Sequence, residues 1–397
     1  MTCRAISKCR VCGSETLEEV ISFGEQALGG QFPSREEPDP PAYPLALGRC
    51  VDGCGLVQLL HTVDPGEMFR NYYYRSGVSL TMRTHLQNVA DTAVSLLKRN
   101  PGKVLDIGGN DGTLVGHLNG LYAADCVVVD PCQTFAVRPV MARQHKDFYP
   151  SDAVRGEKFD LIFSIACLYA VDDPVTFAKA VHDNLADDGL WVIEVGYLPK
   201  MLSRVGYDSI CHEHLAYYGV SSLDSVLGRA GFMILHASNN DMNGGTLRVV
   251  AYKTKHYQPA HATGGLNVDR SYLATFAESV RMHRINLRRY LTSRVAEGKT
   301  IHLLGASTKA NTVLQWCGIT PELVALASDR DPCKRGRKTP GTGIPIVSEE
   351  ESRALRPDVY LSVLGHFKGE LLMREDGHLL RGGKITFALP EIEEVGK

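Results

Sequence analysis

The stretch Lys103-Val104-Leu105-Asp106-Ile107-Gly108-Gly109-Asn110-Asp111-Gly112 decides the fold. A short apolar run reads as a buried strand and passes directly into a glycine turn. Glycines 108, 109 and 112 permit positive φ and let a ligand approach the backbone closely. The next strand pattern, Cys126-Val127-Val128-Val129, ends in the acid Asp130. In doubly wound folds a carboxylate there accepts hydrogen bonds from ribose hydroxyls. The dinucleotide pattern Gly-x-Gly-x-x-Gly is not matched, whereas Asp-x-Gly-x-x-x-Gly (Asp106 to Gly112) is.

Outward from this turn, strand and helix patterns alternate. Residues 79–99 carry Leu86, Val89, Ala90, Ala93, Leu96 and Leu97 at helical spacing. Residues 159–164 and 190–195 read as further strands, with a helix from Pro174 to Leu185 between them. Such repetition implies a parallel sheet covered on both faces. A second α/β unit follows, with strands at 300–305, 323–329 and 359–364. Between the units, residues 270–297 form a charged helix whose Arg281, Arg284, Arg288 and Arg289 suggest a solvated basic face. The expected divisions are 1–75, a cysteine-bearing module; 76–255, the first α/β core; 256–298, a connecting helical segment; and 299–397, the C-terminal α/β domain.

The chain has 397 residues, 44% hydrophobic and 22% charged, as in ordinary globular proteins. Its 43 basic and 45 acidic residues leave a net charge of −2, which argues against a nucleic-acid surface. No apolar run is long enough to span a bilayer. The N-terminus lacks a signal-peptide core, so a cytoplasmic location is expected. Eleven cysteines are too sparse over this length for a secreted disulfide framework. Four of them, Cys9-x2-Cys12 and Cys50-x3-Cys54, have the spacing of a structural zinc site. Glycine follows both second cysteines, at Gly13 and Gly55, where the chain must turn around the ion.

Two segments carry further chemistry. Tyr207-Asp208-Ser209-Ile210-Cys211-His212-Glu213-His214 follows what reads as a strand and gathers two imidazoles and a carboxylate. Histidine exchanges protons near neutral pH, so acid–base chemistry is expected of this run. A zinc-protease His-Glu-x-x-His fails because position 216 is alanine. Histidines two apart share a face on a strand and diverge on a helix. In Gly305-Ala306-Ser307-Thr308-Lys309-Ala310-Asn311 a turn opens a helix, where free amides favour a phosphate. Asp329 ends the following strand, in the position of a ribose acid.

The turn from Asp106 to Gly112 resembles motif I of class I S-adenosylmethionine-dependent methyltransferases. Together with Cys54–Leu59, His212-Glu213-His214, Gly244-Gly245-Thr246-Leu247-Arg248, Gly305-x3-Lys309-x-Asn311-Thr312 and residues 340–346, the chain resembles the zinc-containing sugar C-methyltransferases. Those enzymes act on thymidine-diphosphate 4-keto-sugars in antibiotic biosynthesis. The resemblance spans nearly the whole chain. It implies a doubly wound class I methyltransferase sheet flanked by an N-terminal zinc-binding module and a C-terminal Rossmann-like α/β domain. It implies S-adenosylmethionine at Asp106, Gly108, Asn110, Gly112 and Asp130, and structural Zn2+ at Cys9, Cys12, Cys50 and Cys54. His214 would be the base, with Glu213, His212, Tyr72 and Tyr74 around it, and Asn243, Ser307, Lys309 and Asn311 would meet the substrate. The implied partner is a small molecule, a nucleotide-sugar, with the protein a monomer or small homo-oligomer. Cys211 replaces a family tyrosine, Ala166 and Ala170 align with asparagine and histidine, and Asn243 stands for histidine. These departures imply a different acceptor or methylated position. The alternatives are a non-methylating enolate reaction on the same core and a non-catalytic scaffold.

Overall fold

The computed structural model describes residues 2–134, 136–137, 141–258 and 268–396, so part of the expected connecting segment, 259–267, lies outside the described residues. Lys103–Ile107 pairs in parallel with Asp125–Val129 on one side and Phe159–Ile165 on the other. Across the seven-stranded sheet the order is Arg143–His145, Asp125–Val129, Lys103–Ile107, Phe159–Ile165, Leu185–Gly196, Thr246–Lys253 and Phe232–Asn240. In chain order within this unit that is third, second, first, fourth, fifth, seventh, sixth. Thr246–Lys253 runs antiparallel to both of its neighbours. The alternation in sequence implied a wholly parallel sheet, and this reversed strand is the difference. Its cause is the short link 241–245, because a parallel crossover needs a dozen or more residues. Positive φ at Asn243, Gly244 and Gly245 closes the link.

Period-two alternation sends the strand side chains to two apolar layers. Val104, Val128, Phe163 and Val192 meet the helices Leu80–Leu97 and Thr113–Tyr122 on one face. Leu105, Val127, Ile162 and Trp191 meet Pro174–Asn184 and Val220–Arg229 on the other. Asp173 caps Pro174–Asn184 through the Thr176 amide, and proline occupies its first turn.

The N-terminal strands Leu17–Ala27, Ala42–Cys50 and Val57–Leu59 form an antiparallel sheet. Its fourth strand, Ala216–Tyr217, comes from beyond the His-Glu-His run and pairs with Val57–Leu59. The C-terminal sheet has six strands in the order Ile346–Ser348, Leu326–Asp329, Ile301–Leu304, Val359–Ser362, Lys384–Phe387 and Glu393–Val395, parallel except for the last.

The helix Arg270–Ala296 buries Leu273, Phe276, Val280, Leu287 and Leu291 along one side. Its basic face is not wholly solvated, as the sequence suggested. The Arg284 guanidinium lies 4.4 Å from the Trp316 ring centroid. Arg288 Nη1 donates to the Gly318 carbonyl at 2.6 Å, where it satisfies a helix end. No helix among the described residues is long and apolar enough to cross a membrane.

Trp191 is fully buried, packs on Phe177 and Phe232, and donates Nε1–H to Ser164 Oγ at 3.0 Å. Trp191→Ala is expected to cost about 3–5 kcal/mol in denaturant unfolding. A cost under 1 kcal/mol would contradict this packing.

Candidate active site

The glycine turn sits at the C-terminal edge of the first core strand, where open α/β sheets bind ligands. Gly108, Asn110 and Gly112 have φ of +71°, +54° and +78°. A methyl group on Gly109 would lie 2.8 Å from Asp106 Oδ2, and one on Gly112 2.6 Å from Val137 Cγ1. The turn therefore has no room for side chains at these positions. Asp130 accepts from the Asn110 amide through Oδ2 (2.9 Å) and from the Cys132 amide through Oδ1 (2.8 Å). Each oxygen keeps a second lone pair for a ligand hydroxyl. Burial, with Asp130 and Asp111 nearby, pushes the Asp106 carboxyl up to about 8. A cationic ligand group would favour its ionised form.

Tyr72 and Tyr74 lie on a segment strapped across this turn. The Ser76 amide donates to Asn110 Oδ1 (3.0 Å), Asn110 Nδ2 to the Tyr74 carbonyl (3.0 Å), and the Gly77 amide to Asp111 Oδ2 (2.8 Å). Thr134 Oγ1 donates to the Tyr72 carbonyl at 2.9 Å. Tyr72 is half-buried beside Glu213, and burial raises its phenol well above the usual range.

The His-Glu-His run follows no strand. The helix Leu198–Ser203 and a 3-10 turn at Tyr207–Ser209 precede it. The two rings go to different partners. His212 is 3% exposed, and its Nε2–H donates to the Tyr43 carbonyl of the N-terminal sheet at 3.1 Å. This bond turns its ring toward that sheet, against the Tyr43 ring. His214 donates Nδ1–H to the Ser209 carbonyl at 2.8 Å, which leaves the lone pair on Nε2. Its ring packs against Tyr169 at 4.2 Å between centroids. Burial pushes its pKa down to about 4, so the ring is neutral at ordinary pH. Glu213 is buried and accepts the Gly30 amide through Oε1 at 3.0 Å. A side chain at Gly30 would come within 2.7 Å of that oxygen. Glu213 Oε2 is sealed and has no hydrogen bond among the described residues. Burial raises this carboxyl above its ordinary value.

Lys309 Nζ donates to the Asn243 carbonyl (2.7 Å) and Ser209 Oγ (3.0 Å), with Asp208 Oδ2 at 3.5 Å. Lys309 and Asn243 are thus brought to the His214 loop. Ser307 and Asn311 are placed differently. Ser307 Oγ caps its own helix through the Ala310 amide. Asn311 is wholly buried and donates Nδ2–H to the Gly29 carbonyl at 2.7 Å.

Cys9, Cys12, Cys50 and Cys54 bring their sulfurs within 4.8 Å of one another. Cys9–Cys54 and Cys12–Cys50 are 3.6 and 3.5 Å apart. Tetrahedral zinc with Zn–S near ~2.3 Å requires spacings close to ~3.8 Å, so the quartet fits the ion. Gly13 and Gly55 both adopt positive φ beside it.

Three family models match the chain: a zinc binding domain over residues 9–69, a methyltransferase domain over 82–237, and a C-methyltransferase C-terminal domain over 241–390. C-methyltransferase NovU of Streptomyces niveus is 28% identical over 410 residues, 98% of this chain and 96% of the relative. The matched domains and this relative show an S-adenosylmethionine-dependent C-methyltransferase with a zinc-binding module. Solved structures with some similarity include an S-adenosylmethionine-dependent methyltransferase of Clostridium acetobutylicum (14% identity, 43% of this chain and 92% of that one, TM-score 0.36). A second is the Burkholderia thailandensis 1,6-didemethyltoxoflavin-N1-methyltransferase (15% identity, 52% and 99%, TM-score 0.35). The strand order and the family models, not these distant likenesses, identify the class I methyltransferase fold.

Several residues of this C-methyltransferase were invisible in the sequence. Tyr169, which packs on His214, sits in the 3-10 turn Leu168–Ala170 after the fourth core strand and carries no motif. The Ser209 carbonyl and the Gly30 amide are backbone groups, which no residue pattern reports.

Two outcomes follow from the geometry. Gly109→Ala is expected to abolish the rise in melting temperature that S-adenosylhomocysteine gives the folded enzyme; an unchanged rise would contradict the cradle. Chelation is expected to release one zinc per chain and to speed amide exchange at 212–217, because Ala216–Tyr217 pairs with the strand just beyond Cys54. Unchanged exchange there would separate the ion from the loop.

Proposed function

We propose that the enzyme methylates a carbon next to a ketone, on a nucleotide-linked keto-deoxysugar, with His214 as the base. The observation that carries this reading is the locked His214 ring, whose Nδ1–H is held by Ser209 and whose Nε2 lone pair remains available. A neutral imidazole with one fixed tautomer suits removal of a carbon-bound proton. A ketone makes the neighbouring C–H acidic, because the electron pair left by the proton moves onto the carbonyl oxygen.

In this reading His214 Nε2 takes the α-proton. The Glu213 carboxyl, kept protonated to higher pH by burial, holds the loop beside the base through its bond from the Gly30 amide. Tyr72, against Glu213, and Tyr74 close the same side. Bound S-adenosylmethionine supplies an electrophilic methyl group, held in the cradle of Gly108, Asn110, Gly112 and Asp130. His212 supports the loop through Tyr43, and Lys309 ties the loop to Asn243. Ser307 caps its own helix, and Asn311 serves the contact with the N-terminal module. Cys211, Ala166 and Ala170 leave this site less polar than the family's, which favours a different acceptor or methylated position. Ala166 holds φ +56°, a conformation asparagine adopts more readily than alanine. A soluble biosynthetic enzyme of the cytoplasm fits this role.

Incubation with labelled S-adenosylmethionine and a panel of 3-keto and 4-keto nucleotide sugars, read by mass, tests the proposal. The expected product gains one CH2, and His214→Asn lowers turnover by about 10²–10⁴-fold while cofactor binding persists. Isomerised product without added mass would favour the non-methylating reaction. The pH dependence has a definite sign. A base whose folded pKa is lowered stays active as pH falls below 6.5, and kcat/KM drops only as pH falls through about 4. An acidic limb near 6.5 would contradict His214 as the base.

A further inference from the structure

Beyond the His214 loop, the C-terminal rim of the core sheet carries a second group of ionisable side chains. Glu194, on the fifth core strand, is 2% exposed, and Arg248, its neighbour across the ladder, is 6% exposed. Arg248 Nε donates to Glu194 Oε1 at 2.7 Å, and His85 Nε2 lies 2.6 Å from Glu194 Oε2. Arg248 Nη1 also donates to Asn88 Oδ1 at 3.0 Å, one turn beyond His85 on the helix Leu80–Leu97. Asn240 Nδ2 adds a longer contact to Glu194 Oε1 at 3.4 Å.

An ionised carboxylate only accepts hydrogen bonds; burial opposes its charge, but the bonds from His85 and Arg248 win and hold Glu194 below its ordinary range. His85 Nε2 therefore carries a proton, and in the neutral tautomer the ring's lone pair is on Nδ1. Nδ1 makes no hydrogen bond among the described residues, and the side chain keeps 10% of its surface exposed. The group lies near the C-terminal ends of the core strands, the edge at which open α/β sheets bind ligands. The backbone carbonyl of Glu194 accepts from Ala166, three residues before the Tyr169 that packs on His214. A buried ion pair is a poor stabiliser compared with apolar packing of the same volume. It is a good device for holding one imidazole in one orientation.

We propose that His85 recognises a hydroxyl group of the acceptor through Nδ1, with Glu194 and Arg248 as positioning residues. This role rests on the reading of the acceptor as a ketone-bearing sugar, and it assigns the rim to the hydroxyl side of that sugar. A site with a fixed hydrogen-bonding partner discriminates strongly against an analogue lacking the hydroxyl.

The test uses the full-length enzyme, S-adenosylmethionine, and two thymidine-diphosphate 4-keto-6-deoxyhexoses that differ by one ring hydroxyl. Wild-type enzyme is expected to prefer the hydroxylated sugar by about tenfold or more in kcat/KM. His85→Gln keeps an N–H near the Nε2 position for Glu194 and removes Nδ1. It is expected to raise KM for the hydroxylated sugar about tenfold, to erase the preference, and to leave kcat and the melting temperature close to wild type. His85→Asn places an amide oxygen near Nδ1 and is expected to restore part of the preference. A merely structural role predicts the opposite ranking, with Gln near wild type and Asn impaired, and that result overturns the proposal. Wild-type enzyme that methylates both sugars equally overturns the role of His85 alone. Wild-type enzyme that methylates no ketone overturns the acceptor reading and this role with it.

Discussion

The His214 loop has no regular structure of its own, so its geometry depends on the strand Ala216–Tyr217 that follows it. Two residues cannot form a stable strand alone. They are held because they complete the N-terminal sheet, with Ala216 opposite Gln58 and Tyr217 opposite Val57. The Leu59 amide donates to the Leu215 carbonyl at 2.9 Å and extends this seam toward the histidines. His212 bonds to Tyr43 and Glu213 to Gly30, so the same N-terminal module grips the loop again upstream. Each such bond contributes about 0.5–1.5 kcal/mol net, and several on one short loop select a single conformation. The zinc quartet anchors the sheet that carries them.

The C-terminal domain closes the other side. Thr312 Oγ1 donates to the Ile210 carbonyl at 3.1 Å, and Lys309 holds Ser209. Asn311 reaches Gly29, while Gln315 exchanges hydrogen bonds with both backbone groups of Ala27. One helix, Thr308–Cys317, therefore contacts the His214 loop and the zinc module together. Segments of the N-terminal module, the core and the C-terminal domain meet at Ser209–His214, which explains how a loop can hold one imidazole in a fixed tautomer.

Local patterns were legible in the sequence where the chemistry is local. The glycine turn, the core strands and the cysteine quartet are short runs whose residue types dictate their conformation. The reversed strand Thr246–Lys253 was not read, because its partner Phe232–Asn240 is largely exposed and lacks an apolar alternation. The division between His212 and His214 was also hidden. Spacing separates faces only on a strand or helix, and this run is neither. Ser307 and Asn311 have the types expected of ligand donors, yet a cap and a buried contact absorb them. His85 reads as one more position on an amphipathic helix, since Glu194 lies 109 residues away in the chain.

The central claim is that the locked His214 ring removes a proton from a carbon beside a ketone. Deuterium uptake measures this step without methyl transfer. With S-adenosylhomocysteine in place of the donor and the enzyme in D2O, wild type should exchange the α-hydrogen of its keto-sugar acceptor, and His214→Asn should not. Equal exchange by the variant, with cofactor binding intact, would contradict the account.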